Sequence, residues 1–260
     1  MSASPSVINR VLAILNLFGK HKPLVTIEEI STTLGVSAAS AYRYASDLTE
    51  AGMLSRTSGR YRLGPKIIEL EYLIRSYDPI IQAGHDLMHG LAEMTGCTIM
   101  LCNIYDKTIV NVFQVQGKQP VAPLTYTKGL RMPLFLGAQA HIVLAHMNRR
   151  KLKRFYEAAL EDPASAQSAR AIGADWQAFT KALKHIRHQG YYISHDQLDA
   201  GVTGIAAPVV SGKEILGSLV LTLDTDKPAA LSEETLVGLV VQTASEISRR
   251  MEPAPGQEAA

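Results

Sequence analysis

The sequence predicts an α+β chain in two parts: a winged helix-turn-helix head and a larger α+β body. Three observations carry this. Residues 26–66 read TIEEISTTLGVSAASAYRYASDLTEAGMLSRTSGRYRLGPK, two short helical patterns, a tight turn and a basic hairpin in immediate succession. Beyond residue 97, runs rich in β-branched residues alternate with helical patterns. Charge is divided as well: residues 1–66 hold eight Lys/Arg against four Asp/Glu, and the remainder eighteen against twenty. A basic head on a mildly acidic body suits a chain whose amino-terminal end faces nucleic acid.

Val7, Val11, Ile14, Leu15 and Phe18 predict an amphipathic helix that packs within the head or against a second copy. Thr26 with Glu29 is a capping-box signature, and Ile27, Ile30 and Leu34 then share one helical face. Gly35, tolerant of the left-handed conformation, ends that helix. Ser37 is the N-cap of the next, whose inward face is Ala41, Ala45 and Leu48. Its outward face carries Ala38, Ser40, Tyr42, Arg43 and Tyr44. Small residues at the start, Ser37 included, let the backbone approach a groove, and hydroxyls and one Arg meet base edges or phosphates. Gly52 ends the helix. Met53–Arg56 and Arg60–Leu63 flank Thr57-Ser58-Gly59 as a hairpin, in which Arg56, Arg60 and Arg62, with Lys66 after it, form a phosphate-facing wing. The implied partner is double-stranded DNA.

After Gly64-Pro65, the run from Ile67 to Ile74 predicts a linker helix that breaks at Asp78-Pro79, and a further helix spans about 80–95. The expected organisation is a head over 1–66, a linker over 67–79, a body over 80–252 and a frayed tail over 253–260. In the body, residues 98–104 and 108–113 flank Tyr105-Asp106-Lys107 as strand–turn–strand. Residues 137–147, 152–160 and 176–189 read as helices, the last two separated by a polar, Ala/Ser-rich loop. Residues 191–194, 203–210 and 215–223 read as strands, the last two joined as a hairpin, and 231–250 as a long amphipathic helix.

Composition excludes several classes. The N-terminus MSASPSVINR lacks an apolar signal core, and no apolar run approaches the ~18 residues of a membrane span, so the expected compartment is the cytoplasm. No cofactor motif or phosphate-cradling Gly-rich loop is present. Cys97 and Cys102 are an odd number of residues apart, which on a strand points them to opposite faces; neither a disulfide nor a shared metal is expected. His85 and His89 share a helix face, but no third ligand accompanies them, and a surface or dimer-contact role is expected. His185 and His188, beside Lys184 and Arg187, read as a solvated helix face. An alternative reading makes the body an enzyme using His195, Asp196 and Thr222; it lacks a nucleophile and an oxyanion loop.

Three segments resemble the IclR family of bacterial transcriptional regulators: VSAASAYRYASDLTEAG followed by GRYRLGP, then MPLFLGAQAHIVLA, then IRHQGYYISHDQLDAGVTGIAAPVV. Their order spans nearly all of residues 7–250. The resemblance implies an effector-binding body related to GAF and profilin-like sensor folds. It also implies a homodimer, often paired into a tetramer, and control of catabolic genes by small organic acids or aromatic compounds. The positions matching the family's pocket are Leu124, Met132, Ala138, Gln139, Ser194, Val202, Gly204, Val220 and Thr222. One physical reason joins it: Gly137, Ala138 and Gln139 open a helix, whose free amides and dipole attract an anion. The chain departs from the family pattern at Phe135, Ala140 and His141, where His, Gly and Lys are common, and at Gly204, where Cys or Ser is frequent. Val220 stands where a hydroxyl can occur. A roomier, less polar pocket follows, suited to an aromatic or bulky carboxylate, with hydrogen bonds from Thr222, Ser194, His195 or Asp196.

Overall fold

The computed structural model describes residues 6–106, 108–119, 121, 124–226 and 231–252. The chain falls into two compact units that divide between Ser76 and Tyr77. The expected tail, 253–260, and Lys107 of the expected turn lie outside the described residues.

The head contains α1 (Val7–Leu15), α2 (Ile27–Leu34), α3 (Ala38–Glu50), β1 (Leu54–Thr57), β2 (Arg60–Leu63) and α4 (Pro65–Tyr77), whose last residue crosses the division. The capping box forms: the Glu29 amide donates to Thr26 Oγ1 at 3.3 Å, and the Thr26 amide to Glu29 Oε2 at 2.8 Å. Ile14, Ile30, Ala41, Ala45, Leu48, Leu54 and Tyr61 make the core. Each large side chain there contributes about 1.5–3 kcal/mol by leaving water. The hairpin turns on Ser58 and Gly59, both at positive φ (49° and 78°), the paired left-handed geometry that matches strand twist. Tyr61 also pairs through its backbone with Val25, tying the wing to the segment before α2.

The second unit contains α5 (Pro79–Thr95), β3 (Thr98–Tyr105), β4 (Thr108–Val115), β5 (Arg131–Met132), α6 (Gly137–His146), α7 (Arg149–Leu160), α8 (Pro163–Ile172), α9 (Trp176–Gln189), β6 (Tyr192–His195), β7 (Val202–Ser211), β8 (Glu214–Asp224) and α10 (Glu233–Arg250). One antiparallel sheet runs in the order β5-β4-β3-β8-β7-β6. Strand alternation splits its side chains between two cores. Ile99, Leu101, Ile205, Ala207, Leu219 and Leu221 pack with α5 and α10. Met100, Cys102, Ala206 and Val220 face α6, which α9 in turn covers. Cys97 and Cys102 are free thiols in different cores, and burial pushes the Cys102 thiol up to about 11. Among the described residues, no helix is long and apolar enough to cross a membrane.

Two elements differ from expectation. Residues 163–172, read as a loop, form helix α8: Asp162 accepts the Ser165 amide at 2.9 Å, and Pro163 occupies the first helical position. Both start signals are visible in the sequence, and the Ala/Ser content masked them. The two-residue β5 is too short to carry a pattern of its own and exists by pairing with β4.

Candidate DNA-reading face and effector cavity

On α3, Ala38, Tyr42 and Arg43 are exposed, and Ser40 partly so. Tyr44 is not on that face. Its ring is buried in the head core, its hydroxyl accepts from Arg10 Nη1 at 2.9 Å, and the Arg43 guanidinium lies 5.9 Å from its ring centre. Tyr44 follows the inward positions Ala41, Ala45 and Leu48 at helical spacing, a signal that its polar tip obscured. Ser37 acts as the cap, accepting the Ser40 amide at 3.3 Å and sharing a hydroxyl contact at 3.2 Å. Ala39 and Ser46 are exposed with Tyr42 and Arg43, three or four positions away, and belong to the same face.

The hairpin register divides the wing arginines. Ser55 pairs with Arg62 and Thr57 with Arg60, so Arg60 and Arg62 share one face. Arg56 pairs with Tyr61 and lies on the opposite face, the one carrying the buried Leu54 and Tyr61. All three are exposed, but they do not form one row. Lys66 is exposed and paired with Glu69 at 2.8 Å.

In the body, a cavity of about 40 Å³ lies between the first turn of α6 and the sheet. Nine of the expected residues line it: Leu124, Met132, Ala138, Gln139, Ser194, Val202, Gly204, Val220 and Thr222. Pairing brings the polar ones together. Ser194 is opposite Gly204 on the neighbouring strand, and Gly204 is opposite Thr222, so three positions distant in sequence form one transverse row. A Cβ at Gly204 would meet Ser194 Oγ at 3.2 Å, Ala138 Cβ at 3.6 Å and Val220 Cγ2 at 3.6 Å; the missing side chain is part of the cavity's shape. Ser194 is buried, and its hydroxyl has no protein partner among the described residues. Thr222 Oγ1 donates to the Thr98 carbonyl at 3.3 Å.

Gly137 does not line the cavity; its role is to start α6. It adopts a positive φ of 80°, and a Cβ there would fall 2.5 Å from Leu198 Cδ1. Its amide donates to Gln197 Oε1 at 3.1 Å. The buried Gln139 donates to Asn111 Oδ1 at 3.0 Å, and Asn111 to the Tyr126 carbonyl at 3.0 Å, locking the first turn of α6 to β4 and the loop beyond it.

Sequence reasoning missed Met100, Tyr126, Gln197, Leu198 and Asp199, which also line the cavity. Met100 was legible, since it alternates with the inward Cys102; the others sit on loops whose path follows no periodicity. Asp199 accepts the Thr125 amide and hydroxyl, pinning the two loops together. Among the described lining residues Asp199 carries the only formal charge, and there is no Lys, Arg or His. His195 and Asp196 lie outside the cavity. His195 Nδ1 contacts Thr203 Oγ1 at 2.9 Å, and Asp196 accepts the Gly201 amide at 2.6 Å across a turn. They do not converge with Thr222 as an acid–base set. The cavity is smaller than the expected roomy pocket, at about 40 Å³, and its surface is mostly apolar although six polar side chains contribute to it.

His85 and His89 are exposed, with ring centres 4.8 Å apart and 5.3 and 6.2 Å from Phe113. Among the described residues, no group of three or more potential ligands is placed to hold a metal.

Comparison with known proteins decides the family. Residues 74–249 match the bacterial transcriptional regulator IclR C-terminal domain, and residues 7–58 the IclR helix-turn-helix domain. The chain belongs to the IclR family. The HTH-type transcriptional regulator KipR of Bacillus subtilis is 27% identical over 210 residues, covering 80% of this chain and 82% of that protein. The Pca regulon regulatory protein of Pseudomonas putida is 22% identical over 246 residues, covering 94% and 78%. A crystal structure of an IclR homolog complexed with 4-hydroxybenzoate, from Microbacterium hydrocarbonoxydans, superposes with a TM-score of 0.72 at 18% identity, covering 95% of this chain and 99% of that one. These IclR-family relatives are transcriptional regulators, not enzymes, and the shared architecture is a helix-turn-helix domain followed by an α/β body.

Proposed function

We propose that this IclR-family chain is a ligand-responsive regulator of a catabolic operon. The exposed face of α3, with Arg43 and Tyr42, reads a double-stranded operator, and Arg60 and Arg62 hold phosphates, with Arg56 and Lys66 as outlying charges. The body takes a small organic acid in the cavity under α6. The observation that carries the ligand reading is the row Ser194–Gly204–Thr222 lying beneath the first turn of α6. Backbone amides and the helix dipole supply the positive end that the cavity's side chains lack. Ser194 offers a buried hydroxyl, and Met100, Met132, Val202 and Val220 supply apolar walls.

An aromatic or bulky acid is the favoured class. The names of the Pca regulon regulatory protein and of the 4-hydroxybenzoate complex support it. So does the missing side chain at Gly204. At about 40 Å³ the cavity must widen to admit such a body. A homodimer, or a pair of dimers, is supported by apolar side chains that α1 and α4 leave exposed: Val7 65%, Ile8 71%, Ile68 72% and Tyr77 75%. Effector binding then biases the spacing of two heads, by as much as its affinity differs between the two arrangements.

The test has two parts. The purified chain should bind the promoter beside its own gene with an affinity that falls steeply with salt and changes when acid is added. In calorimetric titration, benzoate-type acids should bind more tightly than glyoxylate or pyruvate. Tighter binding of the two small acids reverses the size class, and a promoter affinity indifferent to salt and to acid removes the regulatory reading.

A further inference from the structure

A second recess lies beside the first. It measures about 390 Å³ and is walled by α6, α8, α9 and β6, with Gln197 lining both recesses. Its lining is mainly apolar and aromatic (Phe135, Ile172, Ile186, Tyr192), with Ser168, His185 and Gln197 beside them, and includes no Lys, Arg, Asp or Glu among the described residues. The most buried polar side chain in it is His141. It is 5% exposed, and its ring stacks on Tyr192 with centres 4.4 Å apart and planes 9° apart.

The chemistry of His141 is set by its own helix. Nδ1 lies 2.8 Å from the Gly137 carbonyl, one turn back. A carbonyl only accepts, so Nδ1 carries the hydrogen and the distal Nε2 is a bare acceptor. Burial favours the neutral ring. Among the described residues Nε2 has no donor, and it is not one of the sealed polar atoms that lack a partner, so it is an open acceptor in the wall of the recess. Two polar side chains of the lining have partners of their own: Gln197 Oε1 accepts Gly137 and its Nε2 donates to the Tyr192 hydroxyl at 3.3 Å, and the Ser168 hydroxyl donates to the Ala164 carbonyl at 3.1 Å.

We propose that this recess is a second small-molecule site, back to back with the acid cavity across Gln197, for a neutral ring compound bearing one hydroxyl that donates to His141 Nε2. The volume falls within the range of small-molecule pockets, about 300–1,000 Å³. A bare Nε2 can only accept and an ionised carboxylate has no hydrogen to donate, so the ligand is a phenol rather than a benzoate. The site stands apart from the acid reading, because binding can be measured without DNA and without an acid.

The experiment is a titration of the full chain with phenol, and with anisole, which keeps the ring but lacks the donor. Phenol should bind saturably and anisole severalfold more weakly, the loss of one hydrogen bond. His141→Phe, which keeps a ring against Tyr192, should weaken phenol about tenfold. Ala182→Leu, which fills the recess from α9, should do the same. Absence of saturable phenol binding overturns the proposal, as does binding that survives both substitutions. Loss of phenol binding in Gly204→Val with His141→Phe unaffected puts the phenol in the acid cavity and overturns it too.

Discussion

Gln197 Oε1 accepts the amide of Gly137 at 3.1 Å, and so holds the orphan donor at the start of α6 that an incoming carboxylate would seek. Gln197 lines the cavity and Gly137 does not, so on the proposed acid reading a ligand reaches that amide only by displacing Gln197. In Gln197→Ala that amide is free, and acid binding should tighten severalfold in calorimetry. Weaker binding would mean that Gln197 itself grips the acid, and the competition would have to be abandoned.

The wing's register separates arginines that look equivalent in sequence. Arg60→Ala and Arg62→Ala should each lower the slope of log affinity against log salt by about one phosphate contact, on any DNA. Arg56→Ala, from the opposite face of the hairpin, should change it by less than half as much. Arg43→Ala should weaken the operator selectively. Equal slopes for all three wing variants would show that the hairpin faces do not matter.

Tyr44 belongs to the head's core. Tyr44→Phe loses the contact with Arg10 at 2.9 Å and should cost about 1 kcal/mol in the head's unfolding transition. Operator affinity under folded conditions should stay within about twofold. A tenfold loss of affinity without a stability change would return Tyr44 to the reading face.

Burial lowers His141 and His146 below the ordinary imidazole value of 6.5, against backbone hydrogen bonds to Gly137 and Ile142 that raise them. Arg187 adds to the lowering at His146. The unfolded chain thus takes up these protons first as pH falls. Their contribution to stability should be complete above about pH 7, and should decline below 6.5 and through the depressed folded values. Thermal denaturation from pH 7.5 to 5 checks this: replacing both His141 and His146 with Gln should remove part of the decline, and an unchanged profile would assign it to other groups.

Much of this protein is local in origin, and local features were legible. The capping pair Thr26 and Glu29, the Ser58-Gly59 turn and the inward stripe of α3 depend on neighbours within one or two turns. Nine cavity residues were placed through the resemblance of whole segments rather than through any pattern of their own. Helix α8 was missed although Asp162 and Pro163 announce it, because its small side chains give weak periodicity.

By itself, the sequence determined most of the helices and the longer strands, the basic character of the head, and the opening of a helix at Gly137, since these rest on composition and on patterns a few residues long. The tertiary structure decided the rest. It put Arg56 on the other face from Arg60 and Arg62, lined up Ser194, Gly204 and Thr222, brought Asp199 to Thr125 and left His141 Nε2 without a donor. Those relations depend on strand register and loop path, which are settled only when distant segments pack and each buried polar group must find, or lack, a partner.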